Sequence, residues 1–164
     1  MIDCVTNVSN YLEEEWTETD PGTGDINWAK GSGFDPKIGF KYIQLLVDDL
    51  PDAKITYDCI YPGTYKVTHE IIIRLFLRPD RYKDSDITTA RNQFFSMMRE
   101  VDRILNGGRY DISQVEHVEL TAWKYNTDRS KEPVVFDAQQ VIKCVYYIDE
   151  SEYTQTRFPY VFMS

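Results

Sequence analysis

The sequence predicts an α+β protein with a mainly antiparallel sheet of about four to five strands, and with one long and one short helix packed on one face. Three observations lead to this fold class. Residues 64–78 alternate apolar and polar side chains, as in a long strand, and residues 86–105 carry an apolar stripe at helical spacing. Strand-like segments outnumber helical ones, which leaves few positions for the crossover helices that parallel strands need.

The N-terminal part predicts a short helix, a loop and a strand. Residues 2–16 read as the helix, and residues 17–38, rich in Gly, Pro, Asp and Thr, as a long loop. Residues 40–47 predict a strand, and a turn over 48–52 ends it. The apolar residues of the helix recur at spacings of three and four: Ile2, Val5, Val8, Leu12 and Trp16.

The central part predicts two strands and the long helix. Residues 54–61 alternate and end at a Pro62-Gly63 turn, and residues 64–78 follow as the clearest strand, long enough for part of it to project beyond the sheet. The helix over 86–105 stops at a Gly pair. Its outer side carries Arg91, Arg99, Glu100 and Arg103.

The C-terminal part predicts a hairpin followed by an aromatic arm. Strands over 118–123 and 134–148 flank a polar turn at 126–133. Residues 149–164 are too apolar for a solvated tail, so they either fold back over their own sheet or dock on another subunit. We expect the whole chain, 1–164, to form one domain.

Charge and composition exclude several kinds of partner. The net charge is −9 and no run of Lys or Arg exists, which disfavours direct binding to nucleic acid or to an anionic membrane. No apolar run approaches the ~18 residues of a membrane span, and the first residues lack the pattern of a signal peptide. The sequence is therefore typical of a protein made in a reducing cytosol.

The cysteines and histidines do not predict a catalytic or metal site. Cys4, Cys59 and Cys144 are far apart in sequence and each is expected to be a small buried residue. His69 lies on the apolar face of its strand, which favours a core or interface role. The weak alternatives are an acid–base or metal pair of His117 with Glu119, and a cation on the acidic turn at 48–52. We expect no enzyme activity, cofactor or metal.

From Thr64 to Ile148 the chain resembles the tail terminator, or tail completion, proteins of long-tailed bacteriophages and related archaeal viruses. The segments that carry the resemblance are YKVTHEIIIRLFLRP, DRYKDSD, ITTARNQFFSMMREVDRIL, AWKYNTD and DAQQVIKCVYYI. The short N-terminal helix also matches the plan of this family. The loop at 17–38 and the aromatic arm extend beyond it.

The resemblance implies a virion structural protein in the tail–neck region, assembled in the host cytoplasm. It implies a ring, usually of six subunits, that ends the tail tube, contacts the head–tail connector and lets DNA pass through its lumen. Other neck or head-completion proteins, and a cellular ferredoxin-like binding module, remain alternatives. The candidate interface residues are the apolar ones in the loop and the arm: Trp28, Phe34, Tyr153, Phe158, Tyr160 and Phe162.

Overall fold

The computed structural model describes residues 2–31, 41–50, 52, 55–79, 84–127 and 135–157. Within these residues the chain forms three α-helices and seven strands. The helices are α1 (Cys4–Glu15), α2 (Asp84–Gly107) and α3 (Glu150–Arg157). The strands are β1 (Asn27–Lys30), β2 (Tyr42–Asp49), β3 (Ile55–Tyr61), β4 (Thr64–Arg78), β5 (His117–Leu120), β6 (Lys124–Thr127) and β7 (Phe136–Asp149).

The strands form one sheet in the order β1-β2-β4-β7-β5. All pairs are antiparallel except β1 with β2, so the predicted α+β class with a mainly antiparallel sheet is confirmed. β3 continues the row of β2 along the same edge of β4, since Asp49 pairs with Ile71 and Ile55 pairs with His69. β5 and β6 likewise share one row beside β7.

The prediction of four to five strands was too low, because the described residues contain seven. The seven strands occupy only five rows, as two rows are each interrupted between two strands. One interruption lies between β2 and β3, and the other at residues 121–123. Short interruptions of this kind depend on the partner strand, so the periodicity of one segment does not reveal them.

Strand β4 has the predicted bounds and forms the centre of the sheet. It pairs with β2 and β3 on one side and with β7 on the other, so the expected projection beyond the sheet is wrong. The predicted turn at Asp48 and Asp49 is also wrong, because both residues continue β2 opposite β4. Gly63 takes a φ of +85° in the turn between β3 and β4, a conformation that favours glycine.

The two predicted helices are present and cover one face of the sheet. Asp3 caps α1 by accepting a hydrogen bond from Thr6 N at 3.0 Å. The apolar stripe of α2 is buried as expected, but Glu100, placed on the outer side by its sequence position, is buried as well. It accepts hydrogen bonds from Arg103 and Thr17, which compensate for its desolvation.

The core lies between these helices and the inner face of β4. Alternate residues of the strand are buried against α1 and α2, and each apolar side chain among them contributes about 1.5–3 kcal/mol. The buried residues of this face are Val67, His69, Ile71, Ile73, Leu75 and Leu77.

The segment predicted as a loop over 17–38 contains regular structure. Thr23–Asp25 forms a short 3-10 helix and β1 pairs with β2 in parallel. The Trp28 ring packs edge-on against Trp16, with centroids 5.6 Å apart, and its Nε1 donates to Thr23 O at 3.1 Å. The pairing of β1 with β2 and the contact of Trp16 with Trp28 join segments that are separate in sequence, which is why the local composition predicted only a loop. Residues 32–38 lie outside the described residues.

The segment predicted as an extended aromatic arm begins as a third helix, α3. Asp149 Oδ1 accepts a hydrogen bond from Glu152 N at 2.8 Å and so caps its first turn. α3 packs against β4 and β7. The helix was missed because it is mostly polar and lacks an apolar stripe. The remainder of the arm, residues 158–164, lies outside the described residues.

Candidate interaction surfaces

Of the six predicted interface residues, the structure describes two. Trp28 is half-buried in β1 against its own core, so its free surface is smaller than a loop position predicts. Tyr153 is half-buried on α3, and its ring stacks on Tyr65 with centroids 3.9 Å apart. A second ring, that of Tyr57, meets it edge-on at 5.7 Å. At Tyr153 the arm therefore covers its own sheet.

The other four predicted interface residues, Phe34, Phe158, Tyr160 and Phe162, lie outside the described residues. They stay predictions.

An exposed apolar patch lies at the end of the sheet where β3, β4 and β7 run together. Ile60 is 47% exposed, Tyr61 is 61% exposed and Tyr147 is 45% exposed. By register Tyr61 and Tyr147 lie on the outer face, opposite the helices, with β4 between their strands. We call these three residues the tip patch. Exposed aromatics of this kind are enriched in protein–protein interfaces.

A groove runs between α2 and the interruption that separates β5 from β6. Two adjoining cavities of about 460 and 430 Å³ form it, and they share Arg99, Asp102 and Trp123. We call it the α2 groove. The helix contributes one stripe of side chains at spacings of three and four: Arg91, Phe95, Arg99, Asp102, Arg103 and Asn106.

A hydrogen bond between helix and sheet crosses the middle of the α2 groove. Trp123 Nε1 donates to both carboxylate oxygens of Asp102, at 3.0 and 2.9 Å. Burial raises the pKa of Asp102, and the bond from Trp123 opposes part of that shift. The bond ties the interrupted strand row to α2 in the middle of the groove.

The α2 groove is basic and contains an unsatisfied acceptor. Arg91 lies over the Phe95 ring at 4.6 Å, and neither Arg91 nor Arg99 forms an ion pair with any residue that the structure describes. Gln140 is 2% exposed and lines the groove. Its amide donates to Thr121 O, whereas its Oε1 has no hydrogen-bond partner in the described part of the chain. A buried acceptor without a partner is uncommon and favours a ligand that supplies a donor.

The sequence predicted the outward position of the arginines of α2, but it did not predict this groove. Residues 121–123 were part of a predicted strand, so nothing predicted an opening beside the helix. The spacing of Arg91, Phe95, Arg99 and Arg103 was the one available signal.

A second cluster brings together Cys4, Cys144, His69 and Asp49, which lie far apart in the sequence. Cys4 and Cys144 meet in the core. Their contact lowers the pKa of Cys4 and raises the pKa of Cys144. Burial of the Cys144 thiol raises its pKa further, because a buried thiolate is poorly solvated. His69 Nε2 is 2.9 Å from Asp49 Oδ1. A cavity of about 230 Å³ adjoins Cys4, Asp49 and His69.

The residue types of this cluster match a nucleophile with a base, but Cys4 has no solvent exposure. The absence of catalysis remains a prediction. Cys59, in contrast, is exposed, so the expectation that all three cysteines are buried is wrong for this one. On β3, Ile55 and Tyr57 pack against the core, whereas Cys59 lies beyond them.

The structure also describes most of the residues considered as metal or acid–base candidates. His117 Nε2 and Glu119 Oε1 are 3.4 Å apart on β5, which is the pair that alternation predicted. Asp48 and Asp49 lie in β2, where Asp49 bonds to His69. Among the residues described here, no three His, Cys, Asp or Glu side chains are arranged to hold a metal ion. No described helix is both long and apolar enough for a membrane span.

The described fold and surfaces define an α+β protein with a mainly antiparallel sheet covered by helices on one face, an exposed apolar tip and a basic groove. No protein-family model matches the chain, and no curated protein matches it. A solved structure described as "Virion of native gene transfer agent (GTA) particle" contains a chain with 11% sequence identity and a TM-score of 0.39. The similarity covers 90% of this chain and 86% of that chain. An identity and a TM-score this low do not establish a function.

Proposed function

We propose that the chain is a structural assembly protein of a tailed virus: a tail terminator whose subunits form a ring of six. The ring ends the tail tube, joins it to the head–tail connector and leaves a lumen for DNA. It is located in the tail–neck region of the virion and assembles in the host cytoplasm. The protein acts through protein contacts and needs no cofactor or catalytic residue.

The proposal is supported first by the resemblance over Thr64–Ile148. In that region the structure has a long central strand, a long amphipathic helix and a closing hairpin, in the order of the matching segments. The net charge of −9 also suits a conduit, because acidic walls repel the phosphates of passing DNA.

The observation that carries the proposal is the tip patch. Two tyrosines and an isoleucine stand exposed at one end of the sheet, away from the core between the helices and β4. Apolar side chains grouped at one end of a molecule mark a protein contact more often than scattered ones do. In a ring, this end is available to a neighbouring subunit or to the tube.

One feature favours a second candidate, a cellular ferredoxin-like binding module. β4 and β5 both run antiparallel to β7, which lies between them, and α2 connects them. This split β-α-β arrangement occurs in ferredoxin-like folds of many functions. Another neck or head-completion protein of the virion is the nearer alternative.

The oligomeric state tests the proposal. We expect native mass spectrometry and electron micrographs of the purified protein to show rings of six subunits. Replacing the tip residues, Ile60→Ser with Tyr61→Ser, should raise the concentration for half-assembly by about tenfold or more, since interface aromatics often contribute more than 1 kcal/mol each.

Tyr110→Ser is the matched control, since Tyr110 is 64% exposed but lies in the α2–β5 connection. It should assemble like the unaltered protein. A chain that stays monomeric at every concentration tested would exclude the ring and favour the binding module. Rings that form equally well in the tip variant would remove the tip patch from the subunit contact.

A further inference from the structure

The two flanks of α2 face surfaces of opposite charge. One flank lines the α2 groove, with its arginines. Along the other flank runs the segment of residues 13–20, in which five of eight residues are acidic. We call it the acidic segment. Arg103, which also lines one end of the groove, donates from Nη2 to Thr17 Oγ1 at 3.2 Å, and the Gln93 amide donates to Asp20.

These two surfaces belong to opposite edges of the sheet. Trp16, within the acidic segment, packs against Trp28 of β1, the first row. Trp123, in the groove, lies between β5 and β6, which form the last row. A molecule with complementary surfaces on opposite edges is suited to a head-to-tail contact, and such contacts close into rings when the rotation allows it.

Each surface has groups that its own chain leaves unpaired. Glu13 and Glu14 are exposed and make no ion pair with the described residues. In the groove, Arg91 and Arg99 likewise make no ion pair with the described residues. Gln140 Oε1 still requires a donor, and the hydroxyl group of the exposed Thr19 in a docked segment can supply one.

We propose that the α2 groove of one copy binds the acidic segment of a neighbouring copy. Glu13 and Glu14 pair with Arg91 and Arg99 across this contact. The inference rests on the proposed ring, for which it supplies one subunit–subunit contact. The tip patch is a separate contact of the subunit in the ring, and the Ile60→Ser with Tyr61→Ser variant tests it independently.

A peptide segment fits the groove better than a nucleic acid does. Phe95, Met98 and Leu120 line it with apolar surface, which a peptide side chain can cover. The unpaired Gln140 oxygen accepts hydrogen bonds, whereas a backbone phosphate carries no donor.

Charge exchange between the two surfaces tests the contact in the full chain. Arg91→Glu with Arg99→Glu makes the groove acidic, and Glu13→Arg with Glu14→Arg makes the segment basic. Each double variant alone brings like charges together, so each should need at least about tenfold more protein for half-assembly. In an equal mixture, a ring of six in which the two variants alternate has only complementary contacts, so the mixture should assemble within about threefold of the unaltered protein.

Arg109→Glu with Lys41→Glu is the control for charge, because both side chains are exposed and neither lines the groove. It makes the same change in net charge as Arg91→Glu with Arg99→Glu and should assemble normally. Circular dichroism of each variant should match that of the unaltered chain, which separates lost contact from lost fold.

The outcomes separate this inference from the proposed function. If the unaltered protein forms rings and both double variants form them equally well, the groove contact is wrong and the ring stands. If the unaltered protein never assembles, both fail. If a DNA duplex binds the unaltered protein and the acidic-groove variant loses only this binding, the groove is a nucleic-acid site and the proposed contact is overturned.

Discussion

The side chain of His69 lies in the core where a thiol and a carboxylate meet its ring. Cys4 contacts it from the first turn of α1, and Asp49 bonds to its Nε2 from β2. Its Nδ1 is buried and makes no hydrogen bond within the described part of the chain. The sequence predicted a core or interface histidine at this position, and the burial of the side chain is confirmed.

The environment of His69 makes stability depend on pH. The Cys4 thiol, followed by Asp49, raises the pKa of His69 above its usual 6.5, although burial opposes the shift. A raised pKa favours the protonated ring on folding. The stabilisation is therefore fully present below about pH 6.5 and is lost as the pH rises through the raised pKa.

We expect His69→Gln to lower the free energy of unfolding more at about pH 5.5 than at about pH 8.5, as measured by urea denaturation. Asp49→Asn should remove part of this pH dependence, because it deletes the smaller of the two contributions. An equal loss at both pH values would mean that the histidine does not change its protonation on folding. Assembly of folded His69→Gln should be unchanged, since His69 is buried and belongs neither to the α2 groove nor to the tip patch.

At the scale of elements, α3 shows how a polar helix can be held by one aromatic residue. Tyr153 stacks on Tyr65, and Glu150 bonds to the Tyr65 hydroxyl, which raises the pKa of Tyr65 to about 12. Tyr153 is thus the apolar anchor of α3 on the sheet.

Tyr153→Ala should destabilise the chain by roughly 1–2 kcal/mol, because it removes one stacked and one edge-on ring contact from a half-buried site. Thermal unfolding measures the loss. Ser151→Ala, at an exposed position of the same helix, is the control and should stay within about 0.5 kcal/mol of the unaltered chain. An equal effect of the two substitutions would show that the stack does not hold α3.

Tyr153 also determines how the C-terminal arm must be tested. Truncation after Glu152 removes the stack together with the arm, so a loss of assembly would not isolate docking by Phe158, Tyr160 and Phe162. Truncation after Arg157 keeps α3 complete and removes residues 158–164, which contain all three of those candidates.

At the scale of the whole molecule, β4 and β7 form the centre on which the other elements depend. They pair with each other from Thr64–Asp149 to Leu77–Phe136, and both have further strands on their outer sides. Each amide of this pair can open only if several rows separate, whereas β1 has a single described neighbour, β2.

We therefore expect the slowest native-state hydrogen exchange in β4 and β7, and faster exchange in β1 and α3. Mass spectrometry of peptides after exchange gives the order directly. Protection of β1 equal to that of β4 would show that the edge row opens only with global unfolding, or that a further contact covers it.

Local pattern was sufficient where burial repeats along one element. The alternation in β4 and β7 and the stripe on α2 predicted their bounds within a few residues, and they predicted the face that each buries. Local pattern failed for Glu100, which is buried, and for Cys59, which is exposed. The exposure of each side chain depends on which other element packs beside it. Of the candidate surfaces described above, the sequence predicted only the outward arginines of α2.

The sequence by itself therefore determined the α+β class, the central strand and the long helix, because those follow from the periodicity of adjacent residues. Only the tertiary structure decided that β1 joins the sheet, that α3 covers Tyr65, and that Trp123 and Gln140 meet the arginines of α2. Each of these features is a contact between residues far apart in the chain. Such a contact is stabilised by burial and hydrogen bonds that exist only once the sheet has brought the partners together.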